Sequence, residues 1–230
     1  MDTSQQITVD IWSDLVCPWC WIAKTRFEKA LVNFAHKDKV QVNTHPYRIA
    51  TNFSPAPFEK ALRQKFGSDS HAKAMMRQVQ SAGLQEGLTY NFDQMQFGDT
   101  IQALSLVEAA KSLQKDQVLL DKLYYSSITE GKSLFDPASL IQLAEEVGID
   151  PDFTTKALNN PAYQDQVIAS EKQVQSFGVS GVPLFIFNHK YMINGAQATS
   201  MFEQVLNDVY QEMQPVGIAQ GASCDINGCK

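Results

Sequence analysis

Two cysteines near the N-terminus have the spacing and the setting of a redox pair. Cys17-Pro18-Trp19-Cys20 follows a strand-like apolar run over residues 7–16 and precedes apolar residues at helical spacing. Pro18 lies near the first helical position, where its fixed φ and missing N–H are tolerated. Cys17 then lies at a helix N-terminus, where unpaired N–H groups and the helix dipole stabilise a thiolate. We predict that Cys17 is the nucleophile of thiol–disulfide exchange and that Cys20 can form a disulfide with it.

A second cysteine pair, Cys224 and Cys229, lies near the C-terminus. The intervening Asn227-Gly228 allows a tight turn, so the two thiols can meet. Because a tethered thiol acts at high effective concentration, this pair is a candidate to exchange electrons with the first pair. A disulfide or spare thiols without function, and a metal clip, are the alternatives for the tail. For the N-terminal pair, the alternatives are half of a zinc site and a structural disulfide.

The overall composition is that of a globular protein with an ordinary core. The chain has 230 residues, of which 44% are hydrophobic, and a net charge of −6 without a basic cluster. We therefore expect no nucleic-acid partner. No apolar run approaches the length of a membrane span, and the polar residues 1–6 do not resemble a secretory signal. These observations predict a cytoplasmic protein without a membrane partner.

The elements that must position the first pair follow the order β-α-β, then helices only, then α-β-β-α. The first two strands should be parallel neighbours because a helix connects them. From residue 54 to about residue 160 the apolar spacing predicts helices, and no segment is convincing as a strand. Strands at 184–187 and 191–193 flank a tight turn at Asn188-His189-Lys190, and an amphipathic helix covers 199–213. The sequence predicts one α/β unit interrupted by a long helical insertion.

A second motif, Gly181-Val182-Pro183, stands directly before the hairpin. Cis peptide bonds occur mainly before proline, and a trans proline at a strand start is the alternative. Together with the cysteine pair, this motif resembles the thioredoxin fold, in which a cis-proline faces the cysteines. The helical insertion resembles the DsbA-like branch of that fold. The motifs at residues 14–22 (DLVCPWCWI), 181–185 (GVPLF) and 194–197 (NGAQ) are similar to the FrnE group of cytoplasmic DsbA-like proteins, relatives of 2-hydroxychromene-2-carboxylate isomerases.

The resemblance implies an α/β thioredoxin fold, with a mixed sheet and a DsbA-like all-helical insertion. The thioredoxin-fold domain then comprises residues 1–53 and 160–215. Residues 54–159 form the insertion, and residues 216–230 form a flexible tail that carries the second cysteine pair.

The resemblance also implies a function, that of a protein-disulfide oxidoreductase or isomerase. Pro18, Trp19, Val182 and Pro183 would position the substrate, which is a protein or peptide thiol or disulfide. The redox-active disulfide is the only cofactor expected, no metal is expected, and glutathione is a candidate redox partner. Two other functions remain open: a glutathione-dependent transferase or isomerase on the same fold, and a chaperone that holds zinc through its four cysteines.

The sequence departs from the family pattern at three places. Ile11 stands six residues before the first cysteine, where many thioredoxin-fold enzymes carry a buried carboxylate. Asp10 and Asp14 are nearby, but solvated carboxylates are the usual case. The related isomerases usually have serine where this chain has Cys17, which argues against their reaction. The segment 99–104 (DTIQAL) lacks the Asn and His common in the FrnE group, which weakens any inference about a specific small-molecule site.

Overall fold

A computed structural model describes residues 6–214, apart from the Phe66 side chain, and the backbone of residues 224–225 and 228–229. The strands are β1 Ile7–Ser13, β2 Val40–Pro46, β3 Ala56–Pro57, β4 Gln96–Phe97, β5 Leu184–Phe187, β6 Tyr191–Asn194, β7 Cys224–Asp225 and β8 Gly228–Cys229. The helices are α1 Pro18–Asn33, α2 Phe58–Phe66, α3 Asp69–Gln85, α4 Ile101–Ala110, α5 Asp116–Ile128, α6 Pro137–Glu145, α7 Pro151–Leu158, α8 Pro161–Ser176 and α9 Thr199–Met213. Lys37–Lys39 and Lys111–Leu113 are single 3-10 turns.

A four-stranded mixed sheet in the order β2-β1-β5-β6 forms the centre of the fold. β1 runs parallel to β2 and antiparallel to β5, and β5 and β6 form the predicted hairpin. The hairpin turn contains Asn188 and His189, both with positive φ, which is the conformation of a tight two-residue hairpin turn. The sheet confirms the predicted mixed arrangement and places β1, the strand that leads to the cysteine pair, between two neighbours.

One face of the sheet is covered by α1 and α9. Alternate residues of β1, namely Ile7, Val9 and Ile11, contribute to this core because side chains alternate between the two faces of a strand. The ring of Phe27 on α1 packs against three other phenylalanine rings, those of Phe185, Phe187 and Phe202. Aromatic packing of this kind fixes α1, and with it the cysteine pair at its start, against the sheet.

The helical insertion has its own core, and the cysteine pair belongs to it. Cys17 and Cys20 lie in one buried cluster with residues of α2 to α7, so the site is formed where sheet and insertion meet. Two-residue strands β3 and β4 pair within the insertion. The prediction of no strand between residues 54 and 160 is therefore wrong at this point, since two-residue strands are too short to carry a period of two.

A largely buried cluster of three charged side chains joins the sheet to the insertion and to α8. The Arg48 guanidinium, which follows β2, donates to Glu171 at 2.6 and 3.0 Å and to both oxygens of Asp99 at 3.1 Å. The Arg48 side chain is 8% exposed. A planar guanidinium that bonds two carboxylates fixes the geometry of all three groups. The cluster thus connects the segment after β2, the segment before α4 and helix α8.

Replacing Arg48 by methionine should lower the free energy of unfolding by about 3–5 kcal/mol, because two partly buried carboxylates lose their partner. Chemical denaturation of the two proteins at neutral pH measures the difference. The matched control is Arg63→Met, which breaks ion pairs with Glu59 and Asp69 at the surface and should change stability very little. Equal losses in the two variants would show that the buried cluster has no special role.

Candidate active site

Cys17 is the N-cap residue of α1, and Pro18 occupies the first helical position, as predicted. The Cys17 amide donates to the Asp14 carbonyl at 3.1 Å, which closes the turn between β1 and α1. Both cysteines are unbonded thiols, and Cys17 is 6% exposed where Cys20 is 1% exposed. The cysteine at the helix start is therefore the more accessible of the two, which is the arrangement a nucleophile and a resolving thiol require.

The Val182–Pro183 peptide bond is cis, as the sequence predicted. The Cys17 Sγ lies 3.7 Å from the carbonyl oxygen of Val182, although 165 residues separate the two in the chain. Pro183 begins the segment that becomes β5, and its carbonyl accepts from the Gly195 amide at 2.8 Å. The structure thus brings Cys17 next to Val182 and Pro183 at the N-terminal end of β5, a central strand of the sheet.

Asp14 is fully buried, which corrects the expectation that it is solvated. Its carboxylate accepts from the Ile49 amide at 2.7 Å, the Thr100 hydroxyl at 2.7 Å and the Val16 amide at 3.3 Å. Burial raises the pKa of Asp14 to about 6, and these three hydrogen bonds act in the opposite direction. One carboxylate therefore joins the loop before Cys17 to the end of β2 and to the start of α4.

Asp10 is also buried, at 7% exposure, and it too differs from the expected solvated carboxylate. Its Oδ1 accepts from Asn43 at 3.1 Å and lies 2.9 Å from the His45 Nε2. Burial favours the protonated acid, but these hydrogen bonds outweigh burial and hold the pKa of Asp10 below its ordinary value. Its two hydrogen-bond partners are on β2, and its Oδ2 lies 3.9 Å from the His189 Nδ1 of the hairpin turn. Asp10 therefore ties β1 to its parallel neighbour and to the hairpin.

The Cys20 thiol is held in its protonated form by its surroundings. Burial raises the pKa of Cys20 well above its ordinary value, and the hydrogen bond and charge of Cys17 raise it further. The backbone of Asp14 acts in the opposite direction, by a hydrogen bond that lowers the pKa of Cys20. While Cys17 is a free thiolate, Cys20 therefore stays neutral, and the two cysteines have different roles in any exchange reaction.

Two tyrosines from the insertion support the active-site turn, and sequence reasoning missed both. The Tyr90 hydroxyl donates to the Pro18 carbonyl at 2.7 Å, and the Tyr124 hydroxyl donates to the Asp14 carbonyl at 3.2 Å. Burial raises the pKa of each phenol above its ordinary value. In the sequence both residues look like ordinary core aromatics. The only available signal was the general rule that a buried tyrosine hydroxyl needs a hydrogen-bond partner.

A cavity of about 160 Å³ lies beside Cys17. Its walls come from the active-site turn, from Ile49 and from the insertion, and they are mostly apolar. The lining residues are Val16, Cys17, Pro18, Trp19, Ile49, Phe58, Leu62, Lys65, Met75 and Phe97. The Lys65 ammonium lies 5.9 Å from the centre of the Phe97 ring, so one wall also carries a positive charge. The cavity can accept an apolar side chain next to the sulfur of Cys17.

In the tail, β7 and β8 pair in antiparallel register, with Cys224 directly opposite Cys229. The sequence analysis did not predict these strands, although it did predict that the two residues can approach one another. The side chains of this segment, and with them the predicted meeting of the two thiols, lie outside the described residues.

Among the residues for which the structure gives positions, no group of three or more His, Cys, Asp or Glu residues is arranged to hold a metal ion. None of the helices described is both long enough and apolar enough to cross a membrane.

Comparison with known proteins identifies the family. Residues 8–207 match the family described as the DSBA-like thioredoxin domain. The uncharacterized protein YwbO of Bacillus subtilis (strain 168) is 27% identical over 206 residues, which cover 88% of this chain and 96% of that protein.

Solved structures agree with the family match. The crystal structure of probable DsbA oxidoreductase SCO1869 from Streptomyces coelicolor is 32% identical, with a TM-score of 0.85, and the match covers 98% of this chain and 99% of that chain. Cytosolic disulfide reductase DsbM from Pseudomonas aeruginosa, in a structure with GSH, shares the fold at 17% identity and a TM-score of 0.67, over 89% of this chain and 99% of that one. The chain therefore belongs to the DsbA-like family of thioredoxin-fold oxidoreductases.

Proposed function

We propose that this protein catalyses thiol–disulfide exchange through Cys17 and Cys20, on disulfides and thiols of proteins or peptides. The observation that supports this most is the position of Cys17. It caps the N-terminus of α1, is the more exposed of the two thiols, and has its sulfur 3.7 Å from the Val182 carbonyl. A helix N-terminus stabilises the thiolate that attacks, and the second thiol lies one helical turn away.

In the reducing direction, the Cys17 thiolate attacks one sulfur of a substrate disulfide. A Cys17–substrate S–S bond forms, and the other substrate sulfur leaves with the electron pair as a thiolate. Cys20 then loses its proton and attacks the Cys17 sulfur, which forms the Cys17–Cys20 disulfide and releases the second substrate thiolate. Two electrons pass to the substrate, and oxidation of a substrate dithiol is the same sequence in reverse. The reduction potential decides the direction, so oxidase, reductase and isomerase remain variants of this proposal.

Substrate positioning is assigned in this proposal to Pro18, Trp19, Val182 and Pro183. The Val182 carbonyl lies within reach of the sulfur that bonds the substrate, so an extended substrate backbone can pair with the backbone there. The apolar cavity beside Cys17 suits an apolar side chain close to the substrate cysteine. Because the redox-active disulfide carries the electrons itself, the proposed reaction requires no other cofactor.

Glutathione is the redox partner we propose for this pair. A structure of DsbM, which shares the fold, was determined with GSH, and this supports the choice. We retain the cytoplasm as the proposed compartment, and the FrnE group as the proposed subgroup within the family. The two other functions give different results in simple assays: a glutathione-dependent isomerase would keep turning over in Cys20→Ser, and a zinc-holding chaperone would purify with stoichiometric zinc.

Equilibrium titration against mixtures of reduced and oxidised glutathione tests the proposal. The fraction of Cys17–Cys20 disulfide, read by mass spectrometry after acid quench and alkylation, should follow a single two-electron transition. The midpoint then gives the reduction potential and the favoured direction. A protein that never forms this disulfide across the whole range would contradict the proposed function.

The tail pair remains part of the proposal as a second redox centre. If Cys224 and Cys229 exchange electrons with the active site, a Cys224→Ser/Cys229→Ser variant should change the rate at which the Cys17–Cys20 disulfide is reduced or formed. Stepwise reduction with disulfide mapping should also trap a bond between the two pairs. An unchanged rate, an unchanged potential and no trapped cross-disulfide would show that the tail takes no part.

A further inference from the structure

A second cavity, separate from the one beside Cys17, borders Cys20. Its volume is about 230 Å³, and it lies among α1, α5 and the first two strands. Ile11 is one of its walls, at the position where related enzymes carry a buried carboxylate. Cys20 and Cys17 therefore border different cavities.

The surroundings of Cys20 matter because its thiol must lose a proton before it can resolve a mixed disulfide. Its side chain is 1% exposed, and burial keeps it protonated. The groups that face Cys20 from neighbouring elements include Cys17, Asp14, Tyr90 and Tyr124. In the mixed disulfide the Cys17 sulfur is bonded, the two tyrosines are neutral phenols, and the Asp14 oxygens already accept three hydrogen bonds.

Helix α1 carries another candidate acceptor for the Cys20 proton, Glu28. Cys20, Lys24 and Glu28 are four residues apart, so they follow one another along a single face of the helix. All three border the cavity. Lys24 is buried at 8% exposure and pairs with both Glu28 and Asp121. The Glu28 side chain is 51% exposed. Glu28 therefore stands where the cavity meets the solvent, and Lys24 holds it there.

The cavity is large enough to contain water, since a water molecule occupies about 30 Å³ in the liquid and several fit. Most of its lining is apolar, but three uncharged polar residues, Ser13, Thr44 and Gln117, line it in addition to the thiol and the ion pair. Water in this cavity can hydrogen-bond to these groups, whereas a purely apolar cavity stays dry.

We propose that Glu28 accepts the proton of Cys20 through water held in this cavity, and that Lys24 acts as a positioning residue for Glu28. The inference rests on the thiol–disulfide exchange proposed above. As the Cys20 sulfur attacks Cys17, its S–H bond breaks and the proton passes along the water to the Glu28 carboxylate. The S–S bond between the cysteines forms, the bond to the substrate breaks, and the substrate leaves as a thiolate. Glu28 then returns the proton to the solvent.

The structure contains a matched control for this role. Asp121 also pairs with Lys24, and its side chain is 52% exposed, almost the same as that of Glu28. Among the described residues that line the cavity, Glu28 is present and Asp121 is not. Glu28→Gln and Asp121→Asn therefore remove equivalent ion pairs, but only the first removes the proposed acceptor.

A two-phase reaction with dithiobis-nitrobenzoate separates the two chemical steps. The reduced full chain, with Cys224 and Cys229 replaced by serine so that two thiols remain, is mixed with one equivalent of the reagent. Attack by Cys17 releases the first thionitrobenzoate, and resolution by Cys20 releases the second. In Glu28→Gln the second phase should slow by about 10- to 100-fold, the range of a lost general base, while the first phase keeps its rate. Asp121→Asn should keep both rates.

Chemical rescue provides the readout that a purely structural role would not move. In Glu28→Gln, adding imidazole as a small base should restore the second phase in proportion to its concentration. A second phase of unchanged rate in Glu28→Gln, or equal slowing of both phases, would overturn the assignment. So would a loss in Asp14→Asn that Glu28→Gln does not share, since the acceptor would then be Asp14. If the first phase itself is missing, the nucleophile assignment fails, and this inference fails with it.

Discussion

Replacing Cys17 by serine is expected to reduce the rate of insulin disulfide reduction by on the order of 10³-fold or more, close to the uncatalysed level. A serine hydroxyl at the helix N-terminus does not form the mixed disulfide on which both steps depend. Cys20→Ser should behave differently. Its Cys17 can still attack, but the resolving thiol is missing, so a covalent Cys17–substrate adduct should accumulate.

Turbidity measurements of insulin reduction and mass spectrometry of the trapped adduct check the two variants side by side. Each variant serves as the control for the other, because both replace one buried thiol by a hydroxyl in the same helix. A Cys17→Ser protein with full activity would show that the nucleophile is another residue. An adduct that accumulates on Cys20 in Cys17→Ser, with none on Cys17 in Cys20→Ser, would reverse the proposed order of attack.

Replacing Asp14 by asparagine is expected to change how stability depends on pH. Burial raises the pKa of this carboxyl from 3.8 to about 6, so the folded protein holds the proton more tightly than the unfolded chain does. The resulting stabilisation is fully present below about pH 4 and is lost as the pH rises through about 6. The difference between the two pKa values corresponds to about 3 kcal/mol. The stability of the wild type relative to Asp14→Asn should therefore fall by about this amount between pH 4 and neutral pH.

Denaturant titrations of both proteins across this pH range provide the measurement. The quantity to compare is the difference in free energy of unfolding between the two proteins at each pH, because the contributions of all other titrating groups cancel in it. Asp10→Asn is the matched control, because this second buried aspartate has its pKa lowered. A lowered pKa gives stability that is present above the unfolded value and lost on acidification, so this control should show no fall between pH 4 and neutral pH. If the free energies of unfolding of wild type and Asp14→Asn change in parallel with pH, burial does not raise the pKa of Asp14.

The cysteine pair and the Val-Pro motif were predictable because each depends on local sequence. A thiol that stands shortly after a strand and directly before a proline that opens a helical pattern is expected at a helix N-terminus, and Cys17 lies there. The alternation of β1, the tight turn at Asn188 and the hairpin after Pro183 have similarly local signals. These segments fix the sheet, and the sheet then brings Val182 to within reach of Cys17.

Residues whose role depends on the tertiary arrangement were not predictable. Asp14 has the same sequence appearance as a solvated aspartate, and its burial results from Thr100 and Ile49, which come from two distant segments. Tyr90 lies in the insertion, 72 residues from Pro18, and nothing in its neighbourhood indicates that it supports the active-site turn. Lys24 shows a regular spacing from Cys20, but a lysine in an amphipathic helix is usually solvated. Only packing distinguishes these cases.

The position of β1 in the middle of the sheet has a consequence for how the protein is made. On the ribosome, β1 and the Cys17 turn are synthesised early, but β5, one of the two strands that flank β1, is made much later than the other, β2. Val182 follows Cys17 by 165 positions in the chain. At typical elongation rates this is a delay of roughly ten to thirty seconds. During this interval the nascent chain exposes the Cys17 thiol, which Val182 later contacts, and the edge of β1 with which β5 later pairs. Cys17 is therefore expected to be more accessible in the nascent chain than in the folded protein.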